Sequence, residues 1–173
     1  MTLPIYKRDF DVFLSHAHKD HAFVAQLDRW LTERAGFRVW YDARELPGGA
    51  LLATDLQRAI ERCRGILLIA SNESLDRGWV KAEYNCAMDE RANHEGFRVV
   101  AMRIGDANVK DLMKGSTWID IPEARLDADS ALAIIRAFHP GESFRIPLQH
   151  VTFTSAVPGI PPTARAHVLY AVP

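Results

Sequence analysis

The chain has 173 residues, 48% hydrophobic and 25% charged, which suits one globular domain with a real core plus a short appendage and leaves too little for a second full domain. Its 21 basic and 22 acidic residues give a net charge of −1, so no overall field draws it to nucleic acid or an anionic membrane, and partners have to be argued from sites. Cys63 and Cys86 lack the spacing of a zinc knuckle or disulfide framework and read as buried free thiols; with no secretory-type start and no apolar run of roughly 18 residues, a soluble cytoplasmic setting is expected.

Phe10 to Leu14 (FDVFL) is a short apolar, β-prone run that stops at Ser15, as a buried strand opening into a loop does. Phe23, Leu27, Trp30 and Leu31 then recur at threes and fours, predicting an amphipathic helix over 23–35 with Gly36 as its stop. Phe37 to Tyr41 repeats the strand, Pro47-Gly48-Gly49 makes a turn, and Leu52, Leu56, Ala59 and Ile60 mark a second helix over 51–63. Gly65 to Ala70 (GILLIA) is apolar throughout, as expected of a mid-sheet parallel strand covered on both faces. A helix over 79–92, strands over 97–104 and 117–121, and a closing helix over 127–138 complete the series. Strands alternating with helices in this way predict an α/β fold, a five-stranded parallel sheet with helices on both faces. From Pro140 onward prolines crowd the sequence and the apolar runs, 148–153 and 166–172, are short. The expected division is a domain over 1–139 and a Pro-rich extension over 140–173, serving as strand pair, linker or docking arm.

Ser15 to His21 reads SHAHKDH, and His16-x-His18-x-Asp20-His21 after an apolar strand resembles the dinuclear metal motif of metallo-β-lactamase-fold hydrolases. Position weighs against it, because that fold places several strands before the motif and only fifteen residues precede His16. The remaining histidines, His94, His139, His150 and His167, are too few and too late to complete two metal sites. The plain reading makes His16, His18 and His21 polar loop and helix-entry residues, with Asp20 near a helix N-terminus where its charge is favourable.

Three blocks resemble Toll/interleukin-1 receptor (TIR) domains, in family order and spacing: DVFLSHAHKD at 11–20, GFRVWYDARELPGG at 36–49, and RCRGILLIASNESLDRGWVKAEYNCAM at 62–88. The resemblance covers roughly 9–138 and implies a three-layer, flavodoxin-like TIR fold. Trp79-x-x-x-Glu83 is similar to the signature of TIR domains that consume NAD+, which implies Glu83 as the catalytic group. Four residues apart on a helix, Trp79 and Glu83 share a face. The alternative for Glu83 is a solvated helix-face acid paired with a lysine or arginine, and for Trp79 a core residue.

The same resemblance implies a substrate pocket built from Phe13, Ser15, His16, Arg44, Leu51 and Trp79, with residues 42–51 as the BB loop, and needs no cofactor or metal because NAD+ is itself the substrate. Ala17 and His18 stand where eukaryotic NAD-cleaving relatives carry an arginine pair, and Leu51 where they often carry an aromatic. The implied function is an NAD+ glycohydrolase or ADP-ribosyl cyclase of bacterial anti-phage defence. It would self-associate through TIR-TIR contacts that include the BB loop and be triggered by a sensor domain or partner, with no direct nucleic-acid or membrane binding. The alternative is a non-catalytic TIR adaptor acting through the same contacts.

Overall fold

Five strands run parallel in the order β2-β1-β3-β4-β5: β1 (Val12–Ser15), β2 (Val39–Trp40), β3 (Gly65–Ala70), β4 (Arg98–Ile104) and β5 (Trp118–Ile121). Among the described residues, helices α1 (His21–Glu33), α2 (Ala53–Glu61) and α3 (Gly78–Asn93) lie between strands, and α4 (Ala128–Phe138) follows β5. This computed structural model describes residues 4–41, 53–72, 78–109 and 118–140. Arg44, Leu51, the turn at Pro47-Gly48-Gly49, the rest of the 42–51 loop and the extension beyond Pro140 lie outside the described residues.

Side chains alternating along each strand build two cores, one per face. Val12, Leu14, Val39, Tyr41, Leu67, Ile69 and Met102 pack against Val24, Leu27 and Leu31 of α1 and Ile134 and Ile135 of α4. Phe13, Trp40, Ile66 and Leu68 point the other way and meet Leu56, Ala59 and Ile60 of α2 and Ala87 of α3. The result is the expected three-layer α/β arrangement. Every residue of β3 is buried, as its unbroken apolar run requires of a strand at the centre of the sheet, and each such Leu or Ile stabilises the fold by about 1.5–3 kcal/mol.

Several boundaries differ from the sequence reading, each for a local reason. The first strand begins at Val12 and includes Ser15, while Phe10 makes only an isolated bridge to Cys63. Phe37 is not a strand residue: Gly36 takes φ of +71°, the Phe37 amide donates to the Leu31 carbonyl at 2.9 Å, and the chain is spent closing α1. The buried stripe of α1 is Val24, Leu27, Asp28 and Leu31, with Phe23 and Trp30 only partly covered at its flanks. Helix α1 also starts earlier, at His21, after a 3₁₀ turn over His18–Asp20. Asp127 lies just outside α4 as its cap, accepting the Ser130 amide at 2.8 Å. Both cysteines are free, but only Cys63 is buried; Cys86 is half-buried. Among the described residues no helix is long and apolar enough to cross a membrane.

Candidate active site

The chain passes from β1 outward to β2 and then returns to β3 on the other side of β1. Connections therefore leave β1 and β3 in opposite directions, and the strand ends part to form a crevice there, the usual ligand position in sheets of this order. Ser15 is the last residue of β1, paired in register with Leu68. Its side chain is 1% exposed, and its hydroxyl donates a hydrogen bond to the carboxylate of Glu83.

Glu83 reaches Ser15 from α3. Among the described side chains of that helix the fully buried ones are Glu83, Ala87 and Glu90, four and then three residues apart, with exposures of 2%, 0% and 3%. Such a face contradicts the reading of Glu83 as a solvated surface acid. A carboxylate taken out of water costs free energy unless hydrogen-bonded, so its burial at the carboxyl ends of the strands opposes folding except where partners such as Ser15 offset it. A buried carboxylate fixed beside a crevice can stabilise a positive charge that develops on a ligand, and does so more strongly than in bulk water.

Polar side chains ring the same end of the sheet. The Tyr41 hydroxyl and His21 Nδ1 are 2.8 Å apart, and the half-buried His16 ring lies 5.4 Å from that of Tyr41 and 6.1 Å from that of His21. Ser71 donates to Asp20 at 2.7 Å, and Asn72 donates to Asp106 at 2.9 Å, which ties together the segments following β1, β3 and β4. Asp20 therefore holds Ser71 rather than capping α1 with its side chain. Among the described residues no three His, Cys, Asp or Glu side chains stand where they could hold a metal ion.

Of the expected pocket residues, the structure brings Ser15, His16 and Glu83 together at the crevice. Trp79 is in the first turn of α3, one turn ahead of Glu83. Phe13 is 1% exposed and stacks on Trp40, centroids 4.7 Å apart, inside the core shared with α2 and α3. Burial pushes the Cys63 and Cys86 thiols above their ordinary range, so neither is poised as a thiolate nucleophile.

Sequence reasoning missed the buried polar groups outside the crevice. Asp11, 7% exposed at the amino end of β1, accepts the Arg38 amide at 2.8 Å and its guanidinium at 3.1 Å, with Arg64 at 3.2 Å. Burial alone would raise its carboxyl, but the hydrogen bonds from the Arg38 side chain and backbone, with both positive charges, prevail and hold it below the usual carboxylate range. Arg8, 1% exposed, pairs with Glu90 at 2.5 Å. The spacing of Glu90 from Glu83 was a readable signal; nothing around Arg8 marked it as buried.

Comparison with known proteins agrees with this architecture. A TIR domain family model matches residues 12–135. The NAD(+) hydrolase TcpA of a Theionarchaea archaeon is 32% identical over 93 residues, 53% of this chain and 27% of that protein, so the chain spans about a quarter of that relative's length. Among solved structures, a metazoan TIR-STING receptor from C. gigas, in complex with 2',3'-cGAMP, superposes with a TM-score of 0.60 at 20% identity, covering 76% of this chain and 40% of the receptor. The TIR domain of the Toll-related receptor TRR-2 from Hydra magnipapillata gives 0.54 at 18% identity, covering 64% of this chain and 83% of that one. With a family match over most of its length and the three-layer sheet to carry it, the chain belongs to the TIR domain family.

Proposed function

We propose that this TIR domain cleaves the bond joining nicotinamide to ribose in NAD+, with Glu83 as its catalytic residue. The observation that carries the reading is the burial of the Glu83 carboxylate against Ser15 at the switch-point crevice. The 32% identity to an NAD(+) hydrolase supports it.

Nicotinamide on ribose C1 is already a cationic leaving group; as the C–N bond breaks, its electron pair goes to the ring nitrogen and positive charge passes to the ribose. Glu83 stabilises that oxocarbenium-like centre and orients the acceptor. Attack by water gives ADP-ribose and releases one proton; attack by the tethered adenine gives a cyclic isomer instead. Ser15 holds the carboxylate in place, His16 lines the crevice beside it, and the proposal assigns Trp79, Arg44 and Leu51 to the substrate's surroundings, while Phe13 supports Ser15 from within the core. At 2% exposure Glu83 has to be uncovered before a ligand can touch it. Self-association through the 42–51 loop, a cytoplasmic setting and a role in anti-phage defence, where loss of NAD+ halts the infected cell, belong to the same proposal.

The test is nicotinamide release from NAD+ by concentrated protein beside Glu83→Gln, with chromatographic identification of the nucleotide product. Release by the wild type and its loss, at least about a thousandfold, in the variant is expected. No release by crowded wild-type protein would overturn the enzymatic reading in favour of a TIR adaptor.

A further inference from the structure

Arg8 stands ahead of residues 12–135, the part of the chain matched by the family model, yet it is among the most deeply buried side chains of the protein. Its guanidinium donates to the Cys63 carbonyl at 2.8 Å and to Glu90 Oε1 at 2.5 Å, and lies over the Phe97 ring at 5.6 Å. The Arg8 carbonyl in turn accepts from Arg38 at 3.3 Å. His94, just past the end of α3, sets Nδ1 3.0 Å from the same Glu90 oxygen. A buried ion pair of this kind adds little net stability over apolar residues of equal volume, but its directional bonds fix the groups that make it.

What they fix is α3. Glu83 and Glu90 are seven residues apart on one face of the helix, about 10 Å along its axis. Their partners, Ser15 and Arg8, are also seven residues apart, on the segment that leads into and forms β1, in reversed order. Helix α3 is thus pinned at two points, antiparallel to β1. With one pin a helix can still roll and slide about the contact; with two, its azimuth and height are set. The inward face between them carries the small Ala87, flanked by Tyr84 and Cys86 half-buried against the core, so the two carboxylates add directional bonds to a modest apolar packing.

We infer that Arg8 is a positioning residue for Glu83, acting through Glu90 and the rigid turns of α3, so that residues ahead of the family-matched segment belong to the active-site apparatus. This rests on the proposed NAD+ cleavage for its kinetic readout, though not for its structural one.

The experiment compares Arg8→Met, Glu90→Met, the double variant and Arg8→Lys in the full chain, by nicotinamide release, thermal unfolding and the ¹³C resonance of the Glu83 carboxyl, assigned by its loss in Glu83→Gln. Either single methionine lowers both melting temperature and kcat. The double variant regains the melting temperature, because no charge is left buried alone, but kcat stays down about tenfold to a hundredfold with KM within about twofold, the cost of a misplaced carboxylate. Arg8→Lys recovers part of kcat, and the Glu83 resonance in the double variant moves to its Ser15→Ala position. Wild-type kcat in the double variant, or an unmoved Glu83 resonance, overturns the inference. Should the double variant not fold, the resonance in Arg8→Lys decides: one unmoved from wild type despite a weakened Glu90 pair overturns the inference, and one shifted toward Ser15→Ala supports it. If the wild type releases no nicotinamide, the enzymatic reading fails and the resonance still tests Arg8.

Discussion

Gly65 opens β3 opposite Arg98 of β4, and an added methyl there has nowhere to go. A Cβ built on its backbone would lie 2.5 Å from the Arg98 carbonyl oxygen, 2.8 Å from Arg98 Cβ and 2.8 Å from Phe138 Cε1 of α4, all well inside ordinary contact. Two of these three atoms belong to the strand ladder, so relief requires β3 and β4 to separate at their amino ends or α4 to lift. Replacing a strand glycine by alanine would otherwise stabilise by about 0.5–1 kcal/mol through the unfolded chain. Overpacking costs about 1–3 kcal/mol, and backbone neighbours put this site at the upper end, so the net loss expected is about 2 kcal/mol. Urea unfolding followed by circular dichroism measures it directly, and a fall of roughly 3–8 °C in melting temperature should accompany it. Gly65→Ala as stable as wild type would refute the close approach of the two strands.

Two further expectations concern carboxylates. Asp127→Ala removes the side chain that caps α4, leaving the Ser130 amide without its 2.8 Å acceptor; a loss of about 1 kcal/mol in urea unfolding is expected, and a change below about 0.3 kcal/mol would deny the cap any weight. Asp11, with its carboxyl held below its ordinary range, stabilises the fold above its unfolded value, about 3.9, and that contribution is lost as pH falls through the lower folded value. Asp11→Asn should therefore flatten the decline in unfolding free energy between about pH 5 and pH 2; an unchanged acid slope would sink the assignment.

The sheet was legible because its strands obey simple rules. GILLIA is apolar on both faces and turned out central and wholly buried, and Gly36 sat where the turn after α1 takes φ of +71°. Less legible was any segment where a polar residue does an interior residue's work. The inner face of α3 carries Glu83 and Glu90 beside Ala87, so its apolar beat is weak; the helix over 79–92 was read all the same, but apolar periodicity does not disclose that its carboxylates face inward. The start of α1 was missed because His21 and Ala22 supply no apolar beat, and Phe37 read as strand because a single aromatic after glycine serves a helix stop as well as a β-strand. Arg8 was beyond reach: whether an isolated arginine is inside depends on a carbonyl 55 residues and a glutamate 82 residues further along.

The Asp11 network has one more consequence, for anyone wishing to alter this domain. Asp11, just ahead of β1, and Ser15, its last residue, lie about 13 Å apart along the chain, one gripping Arg38 and Arg64 and the other touching Glu83. The buried ion pairs lie at the amino end of the sheet and the candidate site at its carboxyl end, with a layer of apolar side chains between them. Changes at Asp11 that leave Arg8 and Glu90 untouched should therefore alter ruggedness with little effect on the Glu83–Ser15 pair, whereas changes at Arg8 or Glu90 reach that pair through α3.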